Sequence, residues 1–544
     1  MNDGLSRRFS DSNVVDYLFE PSVVGNTGDR PFLVTSQRTH SFVEVHELTC
    51  MVANLLQEVG VSTSDRVILC LRDSSEFVAV FLATMKIGAV AVPVSTFLKT
   101  SEYHYIVRDS GAKIAIANSD LTIHFKSAIG VGAILKEVFA VGKSAHGVPE
   151  LSDAVAGLSR QCATVPRVGS DLALLLYSSG TTGEPKGVAH SHSHIYWATE
   201  LFGLKTQAIC QEDIILCPPK MFFAFGLGNQ VYFPLRARAS VIIEPAPTTA
   251  ERVLNQMLEH RPTLFIAVPT LYAALLRDMQ QLDRESVRSA CSRLRFCVSG
   301  GEVLAPNLLH AWERMTGVEI LDGIGTTELT HMFLINRPGN VVPGSCGKVV
   351  DGYTVSLLDE DGSQVGVGEI GNLFVKGPTA AQEYWNKSKH TSAFMRDGGL
   401  YTGDKLYRDR DGNFYFVGRA DDMLRINGLW VSPVEIETAC ADHASVHECA
   451  AVGIQDENGL TIAKAFIVLR DRSSGSQELA DQLSAHLRAQ LPTYKRPRYF
   501  EFLAELPKTA TGKIQRFKLR DRPNTDHCQA RNFEVGRSAR DVQK

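Results

Sequence analysis

Residues Tyr177 to Val188 read Y-S-S-G-T-T-G-E-P-K-G-V, a stretch made almost wholly of backbone, hydroxyls and one cation. Glycines at 180 and 183 let main-chain N–H groups approach a ligand closely. Ser178, Ser179, Thr181 and Thr182 add hydroxyl donors, and Lys186 adds a positive charge. Such a loop suits an anion with many oxygens, phosphate first among them. The pattern G-x-x-x-x-G-K-[ST] does not fit, because Lys186 is followed by Gly187 and the T-G-K at Thr511 to Lys513 has no upstream partner glycine. That argues against a P-loop NTPase. Alone, the cluster could equally be a surface turn. What favours chemistry is D-L-A-L-L-L at Asp171 to Leu176, which predicts a buried strand and puts the loop at a strand's carboxyl end, where open α/β sheets bind ligands.

Five further stretches carry chemistry-bearing residues in order. They are S-G-G-E at Ser299 to Glu302, D-G-I-G-T-T-E at Asp322 to Glu328, Y-T-G-D at Tyr401 to Asp404, G-R-A-D-D-M-L-R-I-N-G-L-W-V-S-P at Gly418 to Pro433, and P-K-T-A-T-G-K at Pro507 to Lys513. Singly, Lys513 would be a solvated charge and Asp404 a turn residue. A different cluster, H-S-H-S-H at His190, His192 and His194, would put three imidazoles on one strand face as metal ligands. No carboxylate or cysteine stands nearby to complete such a site, so these histidines are expected to pack behind the glycine-rich loop.

In this order and spacing the motifs resemble the adenylate-forming superfamily of acyl-CoA synthetases, luciferases and peptide-synthetase adenylation domains, from about Asp16 to Arg520. The resemblance implies two half-reactions. A carboxylate attacks the α-phosphate of MgATP and expels pyrophosphate, then the thiolate of coenzyme A attacks the acyl-adenylate and expels AMP. Two anions must meet in the first step, so counter-charge has to be preorganised where the transition state forms. By resemblance Lys513 is the catalytic lysine bridging carboxylate and α-phosphate, and Ser178, Ser179, Gly180, Thr181, Thr182, Gly183 and Lys186 form the pyrophosphate loop. Glu328 is the ligand of Mg²⁺, a hard oxygen donor for a hard cation, and Thr327 contacts the α-phosphate. Gly300, Gly301 and Glu302 frame the adenine, Asp322 and Gly323 open the nucleotide-side motif, Asp404 accepts the ribose hydroxyls, and Arg419 assists it.

Within the superfamily, K-M-F-F-A-F-G-L-G-N at Lys220 to Asn229 and D-G-I-G-T-T-E-L-T-H-M-F at Asp322 to Phe333 look most like the benzoate-CoA ligase branch. Its acid pocket maps onto Ala224, Phe225, Gly325, His331 and Met332, a short slot with apolar and aromatic walls and one polar group. A single ring fits such a slot better than a long chain does. The branch usually has Tyr in place of Phe225, Ile in place of Met332 and Lys in place of Arg425. Arg, a rigid fork, is no neutral exchange for an ammonium. Ile324 replaces the adenine-stacking aromatic of the wider superfamily, as it does in this branch. A hinge at Asp421 and a thiol-step loop at Gly428 complete the implied machinery.

The elements that must hold these residues follow from hydrophobic patterning. Val67 to Leu71, the face Phe77, Val80, Phe81 and Met85, and Ala89 to Val92 read as strand, helix and strand, a βαβ unit that predicts a parallel-type sheet with helices. From about Gly344 the texture becomes strands with Asp-Gly turns at Asp361-Gly362 and Asp411-Gly412, a small barrel-like part. After Gly418 a helix near Glu435 to Cys440, strands at Ala450 to Ile454 and Ala465 to Leu469, and a Leu479, Leu483, Leu487 and Leu491 stripe predict a small α+β domain. The expected fold is therefore α/β. A large N-terminal domain, 1–420, binds ATP and the acid; a mobile C-terminal domain, 421–523, carries the lysine; and a disordered tail spans 524–544.

The bulk properties agree with a small substrate. The 544 residues are 44% hydrophobic and 21% charged, the balance of a soluble globular chain, and a formal charge of −4 offers no nucleic-acid surface. No apolar run approaches a membrane span, and eleven scattered cysteines without a C-x-x-C pair read as reduced thiols, so the expected location is cytoplasmic. The expected partners are a small aryl carboxylic acid, ATP and CoA, with no nucleic acid and no membrane. The oligomeric state stays open, a homodimer being one form. Two alternatives stand beside an aryl-acid CoA ligase: a free-standing adenylation enzyme that loads a carrier protein, and a nucleotide-binding regulator that has lost catalysis. Intact Lys513, Glu328 and Asp404 argue against the second.

Overall fold

The computed structural model describes residues 12–23, 28–129, 134–144, 147–178, 184–426, 429–456, 460–471, 475–508, 514–520, 522 and 532–534. The chain forms two compact units, one from 1–356, 374–402 and 410–415 and the other from 357–373, 403–409 and 416–544. The division runs through the strands Thr354–Leu358, Gly371–Lys376, Gly399–Arg408 and Phe414–Arg419.

The first unit is built on two large sheets. In one, the βαβ unit expected from the sequence forms: Arg66–Cys70 pairs parallel with Val90–Pro93 on one side and with Ile114–Asn118 on the other. Its outer edge is antiparallel, because Leu172–Ser178 turns directly into Lys186–Ser191, which then pairs with the two-residue strand Glu383–Tyr384. The other sheet has a parallel centre, including Leu264–Ala267, Phe296–Ser299 and Ile320–Gly325, closed by antiparallel Met332–Ile335. The crossover helix Ser75–Lys86 differs from its one-faced reading. Val78, Ala79, Leu82 and Ala83 are buried as fully as Phe77, Val80, Phe81 and Met85, and a helix apolar all round is one packed on every side. Its N-terminus is capped by Ser74, whose hydroxyl accepts the Phe77 N–H at 3.2 Å.

The second unit contains an α+β module with its own core. Val446–Gln455 and Thr461–Leu469 pair antiparallel, Tyr499–Phe502 adds parallel, and helix Gln477–Gln490 buries Leu483 and Leu487 against them. Leu491 lies one residue past the helix end. Asn532–Glu534, within the stretch read as an aperiodic tail, forms a strand antiparallel to Tyr499–Phe502. Among the described residues no helix is long and apolar enough to cross a membrane.

Candidate active site

The glycine-rich loop is the connection of an antiparallel hairpin. Ser178 and Lys186 are Cα partners at its mouth, so the sheet fixes both ends of the loop. Ser179, Gly180, Thr181, Thr182 and Gly183 lie outside the described residues. The Lys186 ammonium stands over the Tyr384 ring, 5.8 Å from its centroid. Just beyond the loop, Glu184 pairs with Lys387 at 3.3 Å.

The three alternating histidines do not share one strand face. His190 is on the strand, which ends at Ser191; His192 and His194 are in the helix His192–Ala198 that Ser191 caps. A Ser at the end of a strand, followed three residues on by a side chain that reaches back, starts a helix and breaks the period of two. All three rings are buried, and burial pushes His190 and His192 down to about 4 and His194 to about 3, so they are neutral at neutral pH. His190 donates from Nε2 to the Thr327 carbonyl at 2.8 Å, and its Nδ1 lies 3.1 Å from His194 Nδ1, which accepts the Ser191 N–H at 3.3 Å. His192 Nδ1 accepts the Val14 N–H.

Thr327, Glu328 and Leu329 form a short 3-10 turn after the strand Ile320–Gly325, and each of its carbonyls is held from outside. His190 takes that of Thr327, the Ala381 N–H that of Glu328 at 2.8 Å, and the Thr379 hydroxyl that of Leu329 at 2.8 Å. The Glu328 carboxylate accepts from Tyr384 Oη at 2.8 Å. Glu328 is a single hard oxygen donor, and among the described residues no three His, Cys, Asp or Glu side chains are grouped to hold a metal ion. That donor set fits a Mg²⁺ ion whose other ligands are phosphate oxygens and water; it does not fit an ion caged by protein alone.

Gly300 and Gly301 follow the strand Phe296–Ser299, and the Glu302 carboxylate accepts from Thr270 N at 3.2 Å. Ser299 is the parallel-sheet partner of Asp322. Burial pushes Asp322 up to about 8, while the Ser299 hydroxyl and the Gly323 N–H pull the other way. Its carbonyl accepts from both the backbone and the side chain of Asn336.

Of the residues expected to line the acid pocket, Phe225, Gly325, His331 and Met332 lie together. Phe225 and His331 rings are 5.6 Å apart, and a side chain at Gly300 would meet the Met332 methyl at 2.2 Å and Phe225 Cζ at 3.7 Å. Gly325 admits no side chain, since a Cβ there would stand 2.6 Å from the His331 carbonyl oxygen. Ala224 and Phe225 begin the short helix Ala224–Leu227. Sequence reasoning missed what fixes His331: Phe202, at 4.3 Å, and Phe233, at 4.9 Å, flank its ring, and Asn229 Nδ2 bridges the Phe225 carbonyl at 2.9 Å and His331 Nε2 at 3.0 Å. Because that amide N–H₂ faces a carbonyl oxygen, its orientation is fixed and Nε2 is the acceptor. Burial holds His331 down at about 3, hence neutral. Also missed was a buried ion pair under this segment, Lys220 with Asp73 at 3.2 Å. Asp73 additionally accepts the Met221 N–H at 2.9 Å, and Lys220 donates to the Glu244 carbonyl at 3.0 Å.

In the second unit Asp404 is buried and accepts from Arg419 at 2.8 Å. The Asp421 carbonyl accepts from Arg520, and Arg425 is an exposed residue of the strand Leu424–Ile426. Gly428 and Lys513 lie outside the described residues.

Comparison with known proteins accords with this arrangement. The AMP-binding enzyme family matches residues 20–385, and the AMP-binding enzyme C-terminal domain matches 435–513. Benzoate–CoA ligase of Thauera aromatica is 36% identical over 93% of this chain and 95% of its own. Among solved structures, the anthranilate CoA ligase AuaEII in complex with anthranoyl-AMP is 38% identical over 93% of this chain and 96% of its own, with a TM-score of 0.87. A benzoate CoA ligase from Burkholderia xenovorans is 34% identical over 94% of this chain and 100% of its own, with a TM-score of 0.86. The chain belongs to the AMP-binding enzyme family, and within that adenylate-forming superfamily it stands with the benzoate-CoA ligases.

Proposed function

We propose that this protein activates a small aryl carboxylic acid with ATP and transfers the acyl group to CoA, releasing pyrophosphate and then AMP. The observation that carries this reading is the meeting of Gly300, on the nucleotide side, with Met332 and Phe225, on the acid side. On this reading an aromatic-walled slot would adjoin the edge where an α-phosphate is attacked. The acid would lie between Phe225 and Met332 with Gly325 as floor and Ala224 and His331 beside it. ATP would lie along Gly300 to Glu302 and Asp322 to Thr327, with its phosphates toward Ser178 and Lys186 and its ribose on Asp404. Lys513 would draw the acid's carboxylate oxygen and the α-phosphate together, neutralising charge as the new P–O bond forms and pyrophosphate leaves. Mg²⁺, held by Glu328 when bound with ATP, would supply charge neutralisation on the phosphates.

The second half-reaction needs a thiol to reach the acyl carbonyl after Lys513 has finished, so residues 421–523 are proposed to move about Asp421 and bring Arg425 and Gly428 toward the site. The test is AMP release, with and without CoA, over benzoate, hydroxy- and aminobenzoates, heteroaryl acids such as furoate, and alicyclic ring acids. Ring acids should support CoA-dependent release. Pyrophosphate exchange with no CoA-dependent release would instead mark a carrier-loading enzyme, and neither activity with any ring acid would overturn the reading.

A further inference from the structure

We propose that Tyr384 is a positioning residue for the first half-reaction: its phenol fixes the Glu328 carboxylate in the orientation from which the free oxygen meets the ATP-bound metal ion. The inference rests on the reading of Glu328 given above and adds to it a residue from a different part of the chain.

Tyr384 sits on the two-residue strand Glu383–Tyr384, opposite Val188 of the hairpin strand. Its ring is buried against Val188 and Ala381, and its polar end reaches Glu328 Oε1 at 2.8 Å. Pairing register decides this, since a slip of one residue would turn the phenol to the other face of the sheet. The strand is tied down immediately afterwards. The Trp385 indole N–H and the Asn386 amide both donate to the Asp109 carbonyl, at 3.0 and 2.8 Å. On the other side of Glu328, its own carbonyl is held by Ala381 N–H, from the same segment. Residues 381–387 thus act as a strap that grips the Glu328 backbone and side chain together.

The consequence is physical. A glutamate has three side-chain torsions, and an ion that dehydrates reluctantly needs its carboxylate oxygen at a fixed point. A hydrogen bond to one oxygen removes that freedom before the metal arrives, and losing such a support costs metal affinity about tenfold or more. Tyr384 also stands under the Lys186 ammonium, so one ring links the metal carboxylate to the phosphate-loop lysine.

The experiment is calorimetric binding of ATP in excess Mg²⁺ and in chelator, for the wild type, Tyr384→Phe, Glu328→Gln and the double variant, with acid KM measured alongside. Tyr384→Phe keeps the buried ring and should cut the metal-linked gain in ATP affinity about tenfold, which corresponds to about 1.4 kcal/mol, with metal-free ATP affinity and acid KM within about twofold. In the Glu328→Gln background the same change should add nothing. If Glu328→Gln loses the metal-linked gain while Tyr384→Phe keeps it, the role of Tyr384 is overturned and the metal reading of Glu328 stands. If Glu328→Gln itself keeps the gain, both fall. A Tyr384→Phe variant that weakens metal-free ATP and acid binding equally would show a merely structural tyrosine.

Discussion

Gly300→Ala is the sharpest probe of whether the proposed acid and nucleotide sides share one wall. The added methyl would begin 2.2 Å from the Met332 methyl, far inside contact distance, so Met332 must retreat by more than an ångström. Met332 is almost fully buried on the strand Met332–Ile335, and Phe225 Cζ stands 3.7 Å from the new methyl. Its thioether can swing, because Met is flexible, and a swing toward Phe225 would narrow the proposed ring slot. Overfilling a packed wall costs about 1–3 kcal/mol, so kcat/KM for the acid should fall about 5- to 150-fold. The loss should be greater for para-substituted benzoates than for benzoate. Because Gly300 is also proposed to border the nucleotide, the control is Gly300→Ala with Met332→Val, which shortens the colliding side chain and should restore most of the acid kcat/KM. The assay is AMP release at saturating ATP with the acid varied, together with ATP KM. An unchanged loss in the double variant, or a rise confined to ATP KM, would refute the shared wall.

Other variants test neighbouring links. Phe225→Trp should shrink the ring slot and penalise para-substituted acids more than benzoate, read as the ratio of their kcat/KM values. Asp73→Asn leaves the buried Lys220 charge unpaired and should lower unfolding stability by about 3–5 kcal/mol in denaturant titration. Lys513→Ala should abolish pyrophosphate exchange yet leave CoA transfer to a supplied aryl-adenylate nearly intact. For pH, His190, His192, His194 and His331 are held neutral in the fold, with folded values of about 3 to 4 against an ordinary value near 6.5. The unfolded chain therefore binds more protons between about pH 6.5 and 4, and stability falls as pH falls through that window by about 1.4 kcal/mol per histidine at pH 5.5. Denaturation at pH 7 and 5.5 measures it, and His192→Gln should flatten the slope.

What the sequence disclosed depended on whether the informative residues were neighbours along the chain. The βαβ unit and the strand leading into the glycine-rich loop are local patterns and lie where their periodicity puts them, and the leucine stripe forms the helix Gln477–Gln490, which stops one residue short of Leu491. H-S-H-S-H is also local, but two meanings compete in it. Its period of two describes a strand, while Ser191 is the residue that ends the strand and caps the helix, and the capping interaction wins. Asn229, Asp73 and Tyr384 were invisible for another reason. Their partners, His331, Met221 and Glu328, are 102, 148 and 56 residues away, so no spacing rule connects them.

Those distant contacts share a direction that bears on mechanism. His190 from the hairpin strand, Thr379, and Ala381 from the strap bind the Thr327 to Leu329 turn by its carbonyls, so none of these oxygens would have to reorient if a triphosphate arrives there. A turn held by its carbonyls leaves side chains and N–H groups as what it can offer, which is the polarity an anionic substrate needs. His190 holds the turn through its Nε2 N–H, and burial keeps the ring neutral. His190→Phe should therefore loosen the turn without touching the acid pocket. It should raise ATP KM while leaving the ratio of kcat/KM for substituted and unsubstituted benzoates unchanged, and a shift in that ratio would mean that the turn and the ring slot move as one body.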